Sequence, residues 1–258
     1  MSSNSGFEQT TYAGQVVVVT GAASGIGKSA AQLIASRGAT VICVDLNQAG
    51  ANQCADEINK TGAKAEGATL DISNQSAVMS LISEIEKKHN KIDALVNCAG
   101  YPGPTGVLVE TINWSDFQKV IEVNLYGAIW LTQAVIPSMK AKKYGRIVHL
   151  ASIAGKEGNP GLSPYNTSKA GMIGFVKGIA KEVAPHGIVI NSLAPAVIST
   201  PMNSNTSEET LKYMISRIPM GRVGQPEEVA EIVAFMASKA CSFTTGFTFD
   251  ASGGRATY

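Results

Sequence analysis

Two residues in the run SPYNTSKAG, Tyr165 and Lys169, have the types and the spacing for acid–base chemistry. A tyrosine with its ordinary pKa near 10 is a poor base at neutral pH. A lysine four residues later lies on the same helix face, and its charge favours the phenolate and lowers the tyrosine pKa by about a unit or more. Because such a pair can arise by chance, the rest of the sequence must decide whether it is catalytic.

A second chemical feature is the glycine-rich turn TGAASGIG at residues 20–27, which follows an apolar run and precedes a helix-like segment. Gly21, Gly25 and Gly27 allow a tight turn that brings backbone N–H groups close to a pyrophosphate, and the helix N-terminus adds partial positive charge. The spacing is GxxxGxG rather than GxGxxG, so the position of the turn between strand and helix carries the prediction of a nucleotide site.

A carboxylate follows the second apolar run, at Asp45 in VICVDLN. There it can accept both ribose hydroxyls of an adenosine and repel a 2′-phosphate. The glycine turn has no arginine to receive that phosphate, although Lys28 follows it, so we predict NAD rather than NADP. Asp71, after the third run, is a candidate partner for the adenine amino group. The alternatives are a helix-capping role for Asp45 and a plain turn role for Asp71.

The segments that must position these residues alternate between short β-branched runs and longer amphipathic runs. This alternation predicts right-handed βαβ crossovers and an α/β fold, a Rossmann-type doubly wound parallel sheet of about seven strands. Strands are predicted at residues 15–20, 40–45, 65–71, 93–98, 145–152, 188–195 and 245–250. Helices are predicted at residues 25–37, 48–60, 75–90, 113–140, 164–184 and 226–238, with Asn74 or Ser73 capping the third.

The 258 residues suit one domain, at residues 14–258, preceded by a polar lead-in at residues 1–13 that we expect to be flexible. Within the domain, residues 196–224 form a stretch that is long for a connection. Long loops of this kind are typical of lids and substrate-binding loops. We therefore predict a substrate loop near residues 196–224.

Composition argues against several other classes of protein. A net charge of +1 without a basic run gives no footprint for nucleic acid. We find no signal peptide and no apolar stretch near the ~20 residues of a membrane span, so we expect a cytoplasmic protein without a membrane partner. The three histidines are scattered, and the cysteines lack metal-type spacing. We expect no metal site and four reduced cysteines, Cys43, Cys54, Cys98 and Cys241.

Taken together, the motifs resemble the short-chain dehydrogenase/reductase family of the Tyr-x-x-x-Lys type. They occur in the family's order: TGAASGIG, Asp71, NCAG at 97–100, Asn124 in VNLYG, Ser152 in ASIAG, YNTSK at 165–169, APAVIST at 194–200 and GRVGQPEEVA at 221–230. The resemblance spans about residues 14–254 and implies the strand order 3-2-1-4-5-6-7 and frequently a homotetramer. The chain departs from the family at Cys98, commonly asparagine, and at Ala196, usually glycine.

The resemblance implies a catalytic set of Asn124, Ser152, Tyr165 and Lys169. Tyr165 is the acid/base, and Lys169 tunes it and holds the nicotinamide ribose hydroxyls. Ser152 orients the substrate oxygen, and Asn124 holds a water that links Lys169 to solvent. Taken alone, Ser152 could be a helix cap and Asn124 a satisfied buried amide. Thr200 is expected at the nicotinamide carboxamide, with a helix cap as its alternative. The implied cofactor contacts are Gly21, Ser24, Gly25, Ile26, Gly27, Asp45, Asp71, Ile72, Asn97, Ala99, Tyr165, Lys169, Ile198 and Thr200.

The substrate end should be walled by residues 101–104, 153–161 and 196–224. Glu157 and Asn159 could hydrogen-bond the hydroxyls of a sugar or polyol beside Ser152 and Tyr165, or could be solvated loop residues. Methionines of the 196–224 stretch would instead suit an apolar substrate. At the C-terminus, Arg255 could meet a carboxylate, or the tail could be mobile.

We therefore predict an NAD(H)-dependent oxidoreductase that interconverts a secondary alcohol and a ketone, within a sugar, sugar acid or polyol. The enzyme alternative is a 3-oxoacyl-thioester (acyl-carrier-protein) reductase, whose relatives more often carry an arginine in the glycine turn and use NADPH. A catalytically silent NAD-binding scaffold is the alternative outside enzymes. Such a scaffold should have lost the tyrosine or the lysine, and this chain keeps both.

Overall fold

A computed structural model describes residues 11–204 and 206–258 and shows one parallel sheet of seven strands. The order across the sheet is β3-β2-β1-β4-β5-β6-β7, which confirms the doubly wound α/β prediction. The strands are β1 Val16–Thr20, β2 Thr40–Asp45, β3 Lys64–Thr69, β4 Ala94–Asn97, β5 Gly145–Leu150, β6 Ile188–Pro195 and β7 Thr248–Ala251.

The order of the strands reverses between β1 and β4, and this reversal creates the crevice in which such sheets bind ligands. In the register of the sheet, Thr20 at the end of β1 pairs with Val44 on one side and Asn97 on the other. The carboxyl ends of β1, β2 and β4 therefore meet at one edge. The glycine turn, Asp45 and the NCAG motif are brought together there.

Helices cover both faces of the sheet. Each face has its own apolar core: α1, α2 and α9 pack on one, and α3, α5 and α7 on the other. Burial on both faces explains why the strands are continuous apolar runs. The helices are α1 Gly25–Ser36, α2 Gln48–Lys60, α3 Gln75–His89, α4 Trp114–Ile121, α5 Gly127–Lys142, α6 Ile153–Glu157, α7 Ser163–Val183, α8 Glu208–Ser216 and α9 Pro226–Met236.

Three segments differ from the sequence prediction. The helix predicted at residues 113–140 is α4 and α5 joined by a π turn, Glu122–Tyr126. The substrate stretch at residues 196–224 contains the helix α8, whose apolar pattern is too short to predict a helix. The short helix α6 follows Ser152, where no helix is predicted. The α3 cap is confirmed, since the Asn74 side chain accepts the N–H of Ala77.

The expected lead-in at residues 1–13 falls mainly on residues 1–10, which lie outside the described residues. Tyr12 is fully buried, and its hydroxyl donates to the carbonyl of Ala234 in α9. The packed part of the chain therefore includes Tyr12, two residues before the expected boundary at residue 14.

One helical stretch of the described residues, Trp114–Lys142, is long and apolar enough to cross a membrane by length and composition. The expectation that no apolar stretch approaches the ~20 residues of a membrane span is therefore wrong by length and composition. The stretch includes α4 and α5, which contact α7 and α3 within the fold. Because core helices pass the same test, we draw no conclusion about membranes from it.

Candidate active site

The glycine turn packs so tightly that only glycine fits at two of its positions. A Cβ on Gly27 would lie 2.1 Å from the carbonyl oxygen of Gly21, and backbone atoms cannot move aside as a flexible side chain does. Gly21 has a φ of +71°, and a Cβ there would lie 2.8 Å from the backbone nitrogen of Ala99. The turn therefore holds the start of α1 directly against the ends of β1 and β4.

The N-terminus of α1 offers donors to an anion. Ser24, at the N-cap, makes no side-chain cap, and the first turn has no acidic residue. The N–H groups at a helix start lack intrahelical partners and carry partial positive charge. Gly25 and Ile26 supply the first of these groups, without bulk at Gly25. The donor set fits a pyrophosphate, so a dinucleotide is suited to this end of the sheet.

Asp45 is held in place at the end of β2. Its carboxylate oxygens accept backbone N–H groups from Ala23, at 3.0 Å, and from Asn47, at 2.9 Å. Each carboxylate oxygen can accept a second hydrogen bond, so ribose hydroxyls can still bind. Lys28, the cation that follows the glycine turn, forms an ion pair with Glu57 at 2.7 Å. This arrangement fits NAD better than NADP.

Asp71 and Ile72 form the turn after β3. The Asp71 carboxylate accepts both the backbone N–H and the hydroxyl of Ser73, and these hydrogen bonds lower the pKa of Asp71. Ile72 is buried, and its carbonyl oxygen packs against Gly127, since a Cβ on Gly127 would lie 2.8 Å from that oxygen. The turn role of Asp71 is thus visible, and its contact with the adenine stays a prediction.

A buried polar chain fixes the end of β4. Asn97 accepts the hydroxyl of Thr20 at 2.6 Å, and Thr20 in turn accepts the N–H of Ala99. On its other side, the Asn97 amide lies 3.2 Å from Nδ1 of His149, whose Nε2 lies 2.8 Å from the hydroxyl of Thr132. Burial lowers the pKa of His149 to about 3, so the ring is neutral. No pattern in the sequence predicts these hydrogen bonds of Thr20, Thr132 and His149, because each side chain's partner is distant in the chain.

Three of the predicted catalytic residues, Ser152, Tyr165 and Lys169, meet where β5 ends and α7 begins. Ser152 caps α6 by accepting the N–H of Ala154, which confirms its capping role, and its hydroxyl also hydrogen-bonds half-buried Tyr165. The Lys169 ammonium lies 5.6 Å from the Tyr165 ring centroid and donates to the Leu150 carbonyl at 2.6 Å. Three side chains that the sequence separates by up to 17 positions therefore meet at one place, where Lys169 is buried and Ser152 and Tyr165 are half-buried.

Burial dominates the protonation of this cluster. It raises the pKa of Tyr165, and the hydrogen bond with Ser152 offsets only part of the rise. Burial also lowers the pKa of Lys169 to about 8. The expectation that Lys169 brings the tyrosine pKa below its ordinary value is therefore wrong for the chain alone, because removing the phenolate from water costs more than the Ser152 hydrogen bond returns.

Asn124 lies in the π turn and is fully buried. Its side chain accepts the N–H of Tyr101 at 2.7 Å and donates to the Tyr101 carbonyl and to Ser168. Ser168 donates to the carbonyl of Tyr165, so it links Asn124 to the first turn of α7. A Cβ on Gly100 would lie within 3.6 Å of both Asn124 Oδ1 and Lys169 Nζ. Because the amide already has protein partners, a water near Lys169 stays a prediction.

The substrate stretch reaches the glycine turn through Thr200. A Cβ on Gly25 would come 3.0 Å from the Thr200 methyl group, so the two segments are in contact. Ile198 is buried and pairs with Gly224 in an isolated β-bridge, which ties the two ends of the stretch together. Thr200 precedes the 3-10 turn Pro201–Asn203 without a side-chain cap, which argues against its capping alternative. Its contact with the carboxamide stays a prediction.

Glu157 and Asn159 face the C-terminal tail. Arg255 donates to the Glu157 carboxylate at 2.9 Å and to the Asn159 side-chain oxygen at 2.9 Å. The Arg255 side chain is only 8% exposed, so the tail is packed rather than mobile here. Of the two readings for Arg255, the structure shows the one in which it meets a carboxylate, although that carboxylate belongs to the protein. Direct contact of Glu157 or Asn159 with substrate stays a prediction.

The family model described as Enoyl-(Acyl carrier protein) reductase matches residues 21–256. The chain is 44% identical over 247 residues to 2-dehydro-3-deoxy-L-rhamnonate dehydrogenase (NAD(+)) of Sphingomonas sp. strain SKA58, covering 96% of this chain and 97% of that protein. It is 39% identical to the 3-oxoacyl-[acyl-carrier-protein] reductase FabG of Thermotoga maritima, covering 93% and 97%.

Among solved structures, the chain is similar to the crystal structure of gox2181. The TM-score is 0.92 at 33% sequence identity, and the match covers 95% of this chain and 97% of that one. The residues that the family model matches, 21–256, include most of the glycine turn and the Ser152, Tyr165 and Lys169 cluster. The chain therefore belongs to the short-chain dehydrogenase/reductase family and is an NAD-dependent oxidoreductase.

Proposed function

We propose that this protein oxidises a secondary alcohol in a sugar acid, or in a related sugar or polyol, to a ketone. The observation that carries the proposal is the cluster of Ser152, Tyr165 and Lys169, which lies at the same end of the sheet as the Asp45 carboxylate and the glycine turn. Acid–base residues and a nucleotide end in one crevice are what alcohol oxidation requires.

The reaction uses each of these residues at a stated atom. The hydroxyls of Ser152 and Tyr165 hold the substrate oxygen, and the phenolate of Tyr165 accepts its proton. The glycine turn and Asp45 would hold NAD, which would supply the hydride acceptor, so that the alcohol would lose one proton to Tyr165 and one hydride and leave as a ketone. Lys169, still mainly protonated at neutral pH with its pKa near 8, stabilises the phenolate.

The pH dependence follows from the raised pKa of Tyr165. Oxidation needs the deprotonated tyrosine, so its rate should increase as the pH rises above neutrality. Reduction needs the protonated tyrosine and should be favoured at lower pH.

One relative favours a sugar acid as the substrate, and the cofactor end of this chain favours the same cofactor, NAD. The 44% identical relative is named for a deoxy sugar acid, 2-dehydro-3-deoxy-L-rhamnonate, and for NAD(+). In this chain, Asp45 is held where it favours NAD, and Lys28 is paired with Glu57. NAD pools usually favour oxidation, so we place the enzyme in carbohydrate catabolism.

The second candidate is 3-oxoacyl-thioester reduction. It is supported by FabG relatives at 35–40% identity, which cover nearly the whole chain. Against it stand the absence of an arginine in the glycine turn and the carboxylate of Asp45, which disfavours the 2′-phosphate of NADP.

The test is a set of initial rates of NAD and NADP reduction at mildly alkaline pH across sugar acids, sugars, polyols and simple secondary alcohols. We expect turnover with sugar acids and NAD. Tyr165→Phe should lower kcat by roughly a thousandfold or more with NAD binding retained. NADPH-dependent reduction of acyl thioesters with no alcohol oxidation would replace the proposal by the second candidate. NAD binding without any turnover would indicate a scaffold.

We also propose a homotetramer. Aromatic and aliphatic side chains are exposed on two separate faces: beside α4 and α5, and along β7, the edge of the sheet. Two self-complementary faces are what closed tetramer symmetry needs. The first face exposes Leu108, Val109, Trp114 and Tyr126; the second exposes Phe235, Phe243 and Phe247. Light scattering at micromolar concentration should give about four times the mass of 26.9 kDa, and a monomer would contradict the proposal.

A cytoplasmic location is proposed on the cysteines. All four are unpaired in the structure, and three of them are buried. Reduced cysteines are the rule in a reducing compartment.

A further inference from the structure

The C-terminal tail, residues 252–258, lies between two segments that border the substrate end of the site. We name residues 153–161, which run from α6 to the start of α7, the wall. The wall is bounded by Ser152 on one side and leads to Tyr165 on the other. Any movement of the wall therefore changes the space next to both hydroxyls that hold the substrate oxygen.

The tail holds the wall through a buried charged side chain. The Arg255 side chain is 8% exposed and donates to two acceptors of the wall, the Glu157 carboxylate and the Asn159 side-chain oxygen, each at 2.9 Å. Glu157 is 18% exposed. Charge-assisted hydrogen bonds of this kind are about twice as strong as neutral ones and fix geometry.

A second set of contacts repeats the connection one residue earlier in the wall. The Tyr258 hydroxyl donates to the Lys156 carbonyl at 2.7 Å, and the Lys156 ammonium lies 5.0 Å from the Tyr258 ring centroid. The same ammonium pairs with Asp250 at 3.0 Å, just before the tail. The tail thus contacts three residues of the wall.

The tail also holds the end of the substrate stretch. A Cβ on Gly253 would come within 2.7 Å of the Ile218 side chain, and the Gly253 carbonyl accepts the N–H of Met220. Arg217, the residue after α8, lies 4.0 Å from the Glu157 carboxylate that Arg255 binds. One carboxylate therefore joins the wall, the tail and the substrate stretch.

We propose that Arg255 is a positioning residue for the substrate: by binding Glu157 and Asn159, it fixes the wall against the substrate stretch and sets the shape of the substrate end of the site. This inference rests on the proposed function. The residue contacts neither the reacting atoms nor the nucleotide end, so it acts on substrate recognition and leaves NAD binding intact.

The experiment compares Arg255→Gln with Arg255→Lys and with Arg37→Gln. Arg37 also forms an ion pair, with Glu231 at 2.6 Å. It lies between α1 and β2, at the end of the sheet where the strands begin and away from the candidate site. Steady-state kinetics with the best sugar acid, NAD titration and hydrogen exchange of residues 153–161 are measured for each variant.

We expect Arg255→Gln to lower kcat/KM roughly tenfold to a hundredfold, mainly through KM, because small displacements near a site are costly. NAD affinity should stay within about twofold, and exchange in the wall should accelerate. Arg255→Lys should recover part of the loss, and Arg37→Gln should match the wild type in all three measurements.

Unchanged KM and unchanged exchange in a folded Arg255→Gln variant would overturn the proposal, as would an equal effect of Arg37→Gln. If Arg255→Gln does not fold, Tyr258→Phe, which removes one hydroxyl from the second set of contacts, should show the same changes at smaller size. No change in that variant would also overturn it. If even the wild type turns over no substrate, the proposed function has failed, and wall exchange alone decides whether Arg255 positions this segment.

Discussion

The cofactor end and the substrate end of this site are built in different ways. At the cofactor end, backbone atoms make the decisive contacts: Gly27 packs on the carbonyl of Gly21, and Asp45 accepts two backbone N–H groups. At the substrate end, charged side chains join distant segments, as when Arg255 binds Glu157, 98 positions away.

This difference explains what each end can change. A backbone turn allows almost no substitution, so it preserves the chemistry common to the family. Side-chain contacts between the wall, the tail and the substrate stretch can be exchanged without rebuilding the sheet. Specificity for one alcohol can therefore vary while hydride transfer to NAD is retained. Three substitutions test this difference between the two ends, and their expected effects decrease in the order Gly27→Ala, Lys169→Met and Asp45→Ala.

Gly27→Ala should abolish NAD binding and lower the free energy of unfolding by about 3 kcal/mol, because its Cβ meets a backbone oxygen 2.1 Å away. The control is Gly174→Ala, at an exposed position of α7 where a Cβ meets nothing within 4 Å. That change should be neutral or stabilise the protein by up to ~1 kcal/mol, since alanine is the better helix former. Calorimetry and NAD titration measure both. If Gly27→Ala binds NAD normally, the close backbone contact between Gly27 and Gly21 does not shape the cofactor end.

Lys169→Met should abolish turnover and yet stabilise the protein at pH 7. The folded-state pKa of Lys169 is about 8, below its ordinary 10.5, so folding pays about 3 kcal/mol to keep this lysine charged. The cost is complete below pH 8 and disappears as the pH rises toward 10.5, because the unfolded chain binds the extra proton in that range. Urea unfolding at pH 7 and pH 10 should show a variant advantage that shrinks at the higher pH. An advantage independent of pH would show that the buried charge is not its cause.

Asp45→Ala should weaken NAD binding by about 2 kcal/mol, the usual value of hydrogen bonds to a charged group, and relax discrimination against NADP. The substrate KM should not change, because the carboxylate belongs to the cofactor end. The ratio of kcat/KM for NAD and NADP is the measurement, with Arg37→Gln again as the control. An unchanged ratio would remove Asp45 from cofactor selection.

Much of the cofactor end was predictable because its signals are local. The turn at residues 20–27, Asp45 at the end of its strand and the Tyr165–Lys169 spacing each lie within a few residues, and strand alternation predicted the sheet that gathers them. Helix α8 was missed, because nine residues in a polar stretch give too weak a periodic pattern.

Short-range spacing and apolar periodicity predicted the seven strands, most of the helices, the nucleotide end and the Tyr165–Lys169 pair, and the family resemblance added Asn124 and Ser152 to the candidate catalytic cluster. Which charged side chains come into contact, and how burial shifts the pKa values of titratable groups, depends on tertiary packing. Arg255 binds the wall instead of solvent, and desolvation raises the pKa of Tyr165 where the nearby lysine had been expected to lower it. Burial and long-range pairing depend on how segments pack in space, which no spacing along the chain records.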